Sequence, residues 1–95
     1  MNLRQHAKGK PCMIRSPLCN YDPETTVLAH WRDSSTGMGQ KGEDVIGAWC
    51  CSECHDVVDG RNKNHPYSYE EVRTWHLEGI IRTLKELARA GIIKW

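Results

Sequence analysis

The clearest pattern of apolar and polar positions lies in the last third of the chain. Val72, Trp75, Ile80, Leu84, Leu87 and Ala88 recur near the helical period, between a Ser68-x-x-Glu71 capping box and a stop at Gly91. This predicts a helix from Ser68 to about Ala90, with an apolar stripe that needs a partner surface. Upstream, Thr25–Trp31 is β-branched at its start and reads as a strand ending near His30, and the short apolar run Asp44–Trp49 reads as a second strand beside it. Between them, residues 33–42 are rich in Gly and Ser and read as a loop. Residues 51–59 predict a short helix closed by Gly60, and residues 61–67, polar and holding Pro66, read as a loop. Pro11 and Pro17 disfavour a helix across Cys12–Cys19, so that segment is expected to be a loop whose ends converge. Asn20–Glu24 has turn composition, and residues 1–11 read as a basic arm or irregular lead-in. Ile92, Ile93 and Trp95 are expected either to fold back or to make a dimer contact. The chain has no internal repeat and no low-complexity tract.

Composition changes this picture in one respect. With 95 residues, no Phe and its aliphatic residues concentrated near the C-terminus, the chain has little apolar material for a core. A small domain of this kind calls for a staple. The five cysteines suggest one. Their count is odd, Met1–Pro11 does not resemble a secretory signal, and no apolar run approaches the length of a membrane span. The expectation is a reduced, cytoplasmic, metal-binding chain. The net charge of +1 conceals a division: +4 over residues 1–19, −6 over 20–60 and +3 over 61–95. An acidic middle between basic flanks suits a cation site with phosphate-binding surroundings, and suits an ordinary solvated surface as well.

The chemistry converges on Cys51-Ser-Glu-Cys54-His55-Asp-Val-Val-Asp59. Two cysteines two residues apart can grip one side of a tetrahedral ion, and Cys12 and Cys19 can complete the four thiolates of a structural zinc site. Cys50 competes with Cys51 for that place, and the tighter spacing favours Cys51. On a helix, His55 and Asp59 stand one turn apart and point the same way, so a harder ion such as Mg²⁺ or Mn²⁺ could sit there, with Asp44 as a further oxygen donor. His30, at the end of its strand, could take a proton from water. The bland readings are a half-buried hydrogen-bonded His30 and a surface carboxylate at Asp59. His6, His65 and His76 read as structural or surface residues. Arg4, Lys8, Lys10, Arg15, Arg32, Arg61 and Lys63 are the cations available to hold a nucleic-acid backbone.

Leu28-Ala29-His30, Cys51-x-x-Cys54-His55-Asp56 and Leu77-Glu78-Gly79 together resemble the YbcO-like nuclease family of prophages, within the HNH (His-Me finger, ββα-metal) group. The resemblance covers essentially the full length. It implies an α+β fold: a zinc-stapled ββα core over residues 1–67 with a C-terminal helix and tail over 68–95, forming one domain. It implies a metal-dependent endonuclease acting on nucleic acid, expected to be DNA, with His30 as general base and His55 near the catalytic metal. The pattern departs at Ala29, where such sequences carry a metal-binding Asp, and at Ile46, where an Asn orients the base. The alternative is a non-catalytic zinc module that binds nucleic acid or a phage recombination or replication partner. A homodimer through the C-terminal helix is a further expectation.

Overall fold

The computed structural model describes residues 3–31 and 46–93. Their order is a short helix α1 (Leu3–His6), a 3-10 turn at Pro23–Thr25, strands β1 (Val27–His30) and β2 (Gly47–Cys50), and helices α2 (Ser52–Val58) and α3 (Tyr69–Arg89). The two strands form an antiparallel pair with Val27 opposite Cys50, Leu28 opposite Trp49, Ala29 opposite Ala48 and His30 opposite Gly47. Trp31 N–H donates to the Ile46 carbonyl at 2.9 Å and extends the ladder by one bond. β1 is shorter than the sequence predicts, whereas β2 runs on to Cys50 and the expected start of that strand at Asp44 lies outside the described residues. Thr25 and Thr26 belong to the turn: the Thr25 N–H and hydroxyl donate to Asp22 O and the Thr26 hydroxyl to Lys10 O, which takes those residues out of the ladder. The N-terminal lead-in is not wholly irregular, since α1 places Ala7 in the core.

All four residues of β2 are buried, because β1 lies on one side of the strand and α3 packs across it. The helix keeps the predicted cap: the Ser68 hydroxyl accepts from Glu71 N–H at 3.1 Å. It buries Val72, His76, Gly79, Ile80, Thr83 and Leu87, a stripe at three- and four-residue spacing. Polar bonds fix the helix against the sheet. Trp49 N–H donates to the Thr83 hydroxyl (3.0 Å), which donates to Gly79 O (2.8 Å), while Arg82 donates to Met13 O (2.7 Å). Met13 N–H in turn reaches Trp49 O at 2.7 Å, so the cysteine loop, the sheet and α3 form one connected unit. Ile92 and Ile93 fold back onto a cluster of Ala7, Met13, Leu28, Trp49 and Leu87. Trp95 lies outside the described residues. On α3, Tyr69, Leu77 and Ile81 are the exposed large hydrophobic side chains.

Gly79 is where the helix approaches most closely. A Cβ there would stand 2.7 Å from Ile14 Cγ1, 3.2 Å from Ile14 Cα and 3.3 Å from Ala48 Cβ. Gly79→Ala gains about 1 kcal/mol of helix propensity. Overpacking against backbone costs about 1–3 kcal/mol, so the variant is expected to be less stable, with a melting temperature lower by several degrees in thermal denaturation.

Candidate metal centre and adjoining histidine site

The Cys12–Cys19 loop comes back against α2, and four sulfurs meet there. The Sγ atoms of Cys12, Cys19, Cys51 and Cys54 all lie within 4.8 Å of one another, and all four residues are buried. The Cys51–Cys19 sulfur separation is 3.7 Å. Sulfurs bound to one zinc at about 2.3 Å in tetrahedral geometry stand about 3.8 Å apart, so the quartet fits that ion. Its surroundings suit thiolates: Tyr21 N–H donates to Cys19 Sγ and Cys54 N–H to Cys51 Sγ, both at 3.4 Å, and the Ser16 hydroxyl lies 3.1 Å from Cys54 Sγ. The backbone is left-handed at Arg15 (φ 53°), within this loop, and at Tyr21 (φ 56°), just past it, so the chain turns sharply on both sides of Cys19.

The thiols cannot all ionise without a cation. Hydrogen bonds from Cys50 and Cys54 drive the Cys12 thiol far below its usual range. The same contacts with Cys12 push Cys54 and Cys50 up, and burial raises Cys19 to about 11. A divalent ion at the centre removes the conflict by stabilising four thiolates together. Cys50 is a fifth, fully buried thiol in contact with this group, and it also donates to Cys51 O at 3.3 Å. The four-sulfur set nevertheless contains Cys51 and not Cys50, as the spacing suggests. All five cysteines are free thiols.

Helix α2 leaves the metal centre at Cys54 and carries the next residue, His55, toward β1. A hollow of about 50 Å³ is lined by Ala29, His30, His55, Val58, Asp59 and His76. His30 and His55 thus open on one space from a strand and a helix. Asp59 joins them because α2 closes with Asp59 N–H on His55 O (2.9 Å), and Gly60 then turns the chain at φ +81°. Burial pulls the His55 imidazole below its ordinary value, with Asp59 acting in the opposite direction. Asp59 is also engaged by Arg61 Nε at 3.1 Å, in a pair whose arginine is 68% exposed.

A groove of about 360 Å³ opens on one side of these residues, lined by Arg4, Lys8 and Arg61 together with His30, His55 and Asp59. Lys10 and Arg15 lie outside this lining: Lys10 sits over the Trp49 ring at 5.8 Å, and an Arg15 guanidinium nitrogen lies 3.8 Å from Met13 Sδ. Lys63 lines a different cavity. Arg32 and Asp44 fall outside the described residues. Among those described, the cysteines are the one set of three or more potential ligands with such close donor atoms; His55 and Asp59 share a cavity without a third ligand at that spacing.

His76 is the residue that the sequence reading set aside. It is buried on α3, and its Nε2 lies 2.9 Å from the Ala29 carbonyl. Since a carbonyl only accepts, Nε2 carries the proton. Burial depresses the His76 pKa, which favours that neutral form. Its ring lies 5.3 Å from that of Trp31. His76 is therefore structural, as expected, and yet also borders the space shared by His30 and His55. The signal was available: His76 falls between Val72 and Ile80 at four-residue spacing, on the inward stripe.

The family described as "Putative nuclease YbcO" matches residues 1–92. This chain belongs to that family. The YbcO relatives include "Putative nuclease YbcO" of Escherichia coli K12 and a protein of the same description from Enterobacteria phage 82; each is 40% identical over 95 residues, covering 98% of this chain and 97% of the relative. The fold is shared with a solved structure described as "a putative bacteriophage protein" from Escherichia coli K-12 substrain MG1655. That match has a TM-score of 0.79 and 36% identity over 95% of this chain and 100% of the other.

Proposed function

We propose that this YbcO-family chain is an endonuclease of the HNH (His-Me finger) type, of phage origin and active in the cytoplasm, that hydrolyses DNA phosphodiester bonds with a divalent cation. The observation that carries this reading is the placement of His30 and His55 on one cavity with Asp59, beside a groove edged by Arg4, Lys8 and Arg61. His30 takes the proton from an attacking water, as a general base must from within hydrogen-bond reach. His55 and Asp59 offer one imidazole nitrogen and one carboxylate on one hollow, and would hold a hard divalent cation there. Such a cation, when bound, would stabilise the negative charge developing on the phosphoryl oxygens and the leaving oxygen. Arg61 then exchanges the Asp59 carboxylate for a backbone phosphate, while Arg4 and Lys8 hold neighbouring phosphates without reading sequence. The thiolate quartet, loaded with zinc, fixes His55 by anchoring the start of α2 one residue earlier.

A second reading has its own support. Ala29 and Ile46 stand where the HNH pattern carries a metal-binding Asp and an orienting Asn. A non-catalytic module that binds nucleic acid, alone or with a phage recombination or replication partner, would keep the same groove and need neither residue. Incubating zinc-loaded protein with plasmid and branched DNA, with and without Mg²⁺ or Mn²⁺, separates the two. Hydrolysis predicts ion-dependent nicking; binding without cleavage under any divalent ion leaves the module.

The groove predicts a steep salt dependence under either reading. Neutralising Arg4, Lys8 and Arg61 together is expected to weaken binding to all sequences alike and to flatten the log–log salt slope by about 2.7 for duplex DNA, one phosphate contact each. Arg15→Gln should change it little. A triple variant with an unchanged slope would remove the groove from the binding surface.

A further inference from the structure

Beside the histidine site lies a larger cleft of about 500 Å³ whose aromatic walls the hydrolytic reading does not use. Its size is that of a small-molecule pocket. Its walls carry Trp31, His65, Tyr67, Tyr69 and Arg73. Several of these faces are held in place by other groups. Tyr67 packs edge-on against Trp75 at 5.0 Å and lies nearly parallel to His65, 5.7 Å away. The Arg73 guanidinium sits 4.1 Å over the Trp31 ring and donates to the Tyr69 hydroxyl at 3.1 Å. Flat π-faces and a guanidinium plane, fixed by these contacts and lining one cleft, form a stacking platform. The cleft also meets the groove. His30 and Asp59 line both, so a strand with a phosphate beside them has an adjacent base within reach of the aromatic wall.

We propose that this aromatic cleft receives an unpaired nucleobase, so that the strand presented to His30 is single-stranded or locally opened rather than a closed duplex. In a duplex the base faces are already occupied by their neighbours, and only phosphates and groove edges remain accessible. An unstacked base can lie on Tyr67 or on the Trp31–Arg73 pair, a mode of binding that tolerates any sequence because every base has a π-face. The inference depends on the hydrolytic reading only for where the strand is cut; base binding in the cleft stands on its own.

The test measures binding by the full, zinc-loaded chain without added Mg²⁺ or Mn²⁺. The probes are a fluorescein-labelled oligothymidylate and an equally long deoxyribose-phosphate oligomer lacking bases. Both carry the same charge, so the groove alone treats them alike. The intact strand is expected to bind about tenfold tighter or more, the effect of stacking one base. Tyr67→Leu should cut that ratio about fivefold or more while leaving affinity for the abasic oligomer unchanged. Neutralising Arg4, Lys8 and Arg61 should weaken both probes and preserve the ratio. Zinc content and melting temperature identify a Tyr67→Leu protein that has failed to fold; the wild-type comparison requires no variant. Equal affinity of wild type for the two probes overturns the proposal, as does a folded Tyr67→Leu protein with the wild-type ratio. Base-dependent binding with no cleavage under any divalent ion would sustain the cleft and defeat hydrolysis. Duplex cleavage with equal affinity for both probes would do the reverse.

Discussion

His30→Ala is expected to abolish most DNA cleavage, by about 10²–10⁴-fold, the usual contribution of general-base catalysis. The same change should leave zinc content and melting temperature nearly untouched. His30 is half-buried at the end of β1, opposite Gly47, and belongs to neither of the two apolar clusters that make up the core. It is also not one of the four sulfur ligands. Its loss is therefore expected to affect cleavage far more than packing. His55→Ala should lose activity by a different route, weakening the divalent ion near Asp59, so raised Mn²⁺ is expected to restore part of the rate. The same supplement should not rescue His30→Ala, because added metal cannot replace a base. Rates measured against Mn²⁺ concentration for both variants check this. Undiminished cleavage by His30→Ala would remove His30 from the mechanism.

Cys54→Ser is expected to release the metal and unfold the domain. Structural zinc supplies about 10–16 kcal/mol of apparent binding energy in small zinc domains, which exceeds or matches the roughly 5–15 kcal/mol of net stability of an ordinary domain. Cys54 is fully buried, meets Ser16 at 3.1 Å, and joins α2 to the N-terminal loop. About one zinc per chain should be found in purified wild type, and a strong chelator should lower the melting temperature sharply. Cys50→Ala provides the contrast. It removes a buried thiol beside the quartet, so it should reduce stability modestly while zinc content stays near one per chain. Metal-free protein with full thermal stability would refute the staple, and loss of zinc in Cys50→Ala would give Cys50 a larger part than the geometry assigns it.

Much of this protein is legible without coordinates because its signals are local. Ser68-x-x-Glu71, the apolar recurrence from Val72 to Leu87 and the turn at Gly91 specify α3 through backbone hydrogen bonds and a 3.6-residue period, both short-range properties. Cys51-x-x-Cys54 is local too, since the turn that brings two sulfurs to one ion lies between them. The pairing with Cys12 and Cys19 follows from the need of zinc for four ligands, although the sequence offers no geometry across 32 residues. Strand ends are less legible. Thr25 and Thr26 have strand propensity, but their hydroxyls and amides are taken by Asp22, Pro23 and Lys10, and that competition depends on where the chain turns.

The tertiary structure alone decided which residues share a site. His76 is far from His30 in sequence and reaches the same hollow only because α3 crosses β2 at Gly79, where the missing side chain lets helix and sheet meet. The sorting of the cations is equally non-local: α1 sets Arg4 and Lys8 beside Arg61, while Lys10 turns onto Trp49. The aromatic cleft joins Trp31 to Tyr67 and Arg73 across the gap between β1 and α3, and no spacing along the chain announces it. The sequence by itself determined the long helix, the strand pair and the candidate cysteine quartet, because hydrogen-bond periods and coordination numbers are fixed by local chemistry. Only packing determined the neighbours, because each depends on how a helix surface meets a sheet, a sum over many contacts that no single stretch of the chain contains.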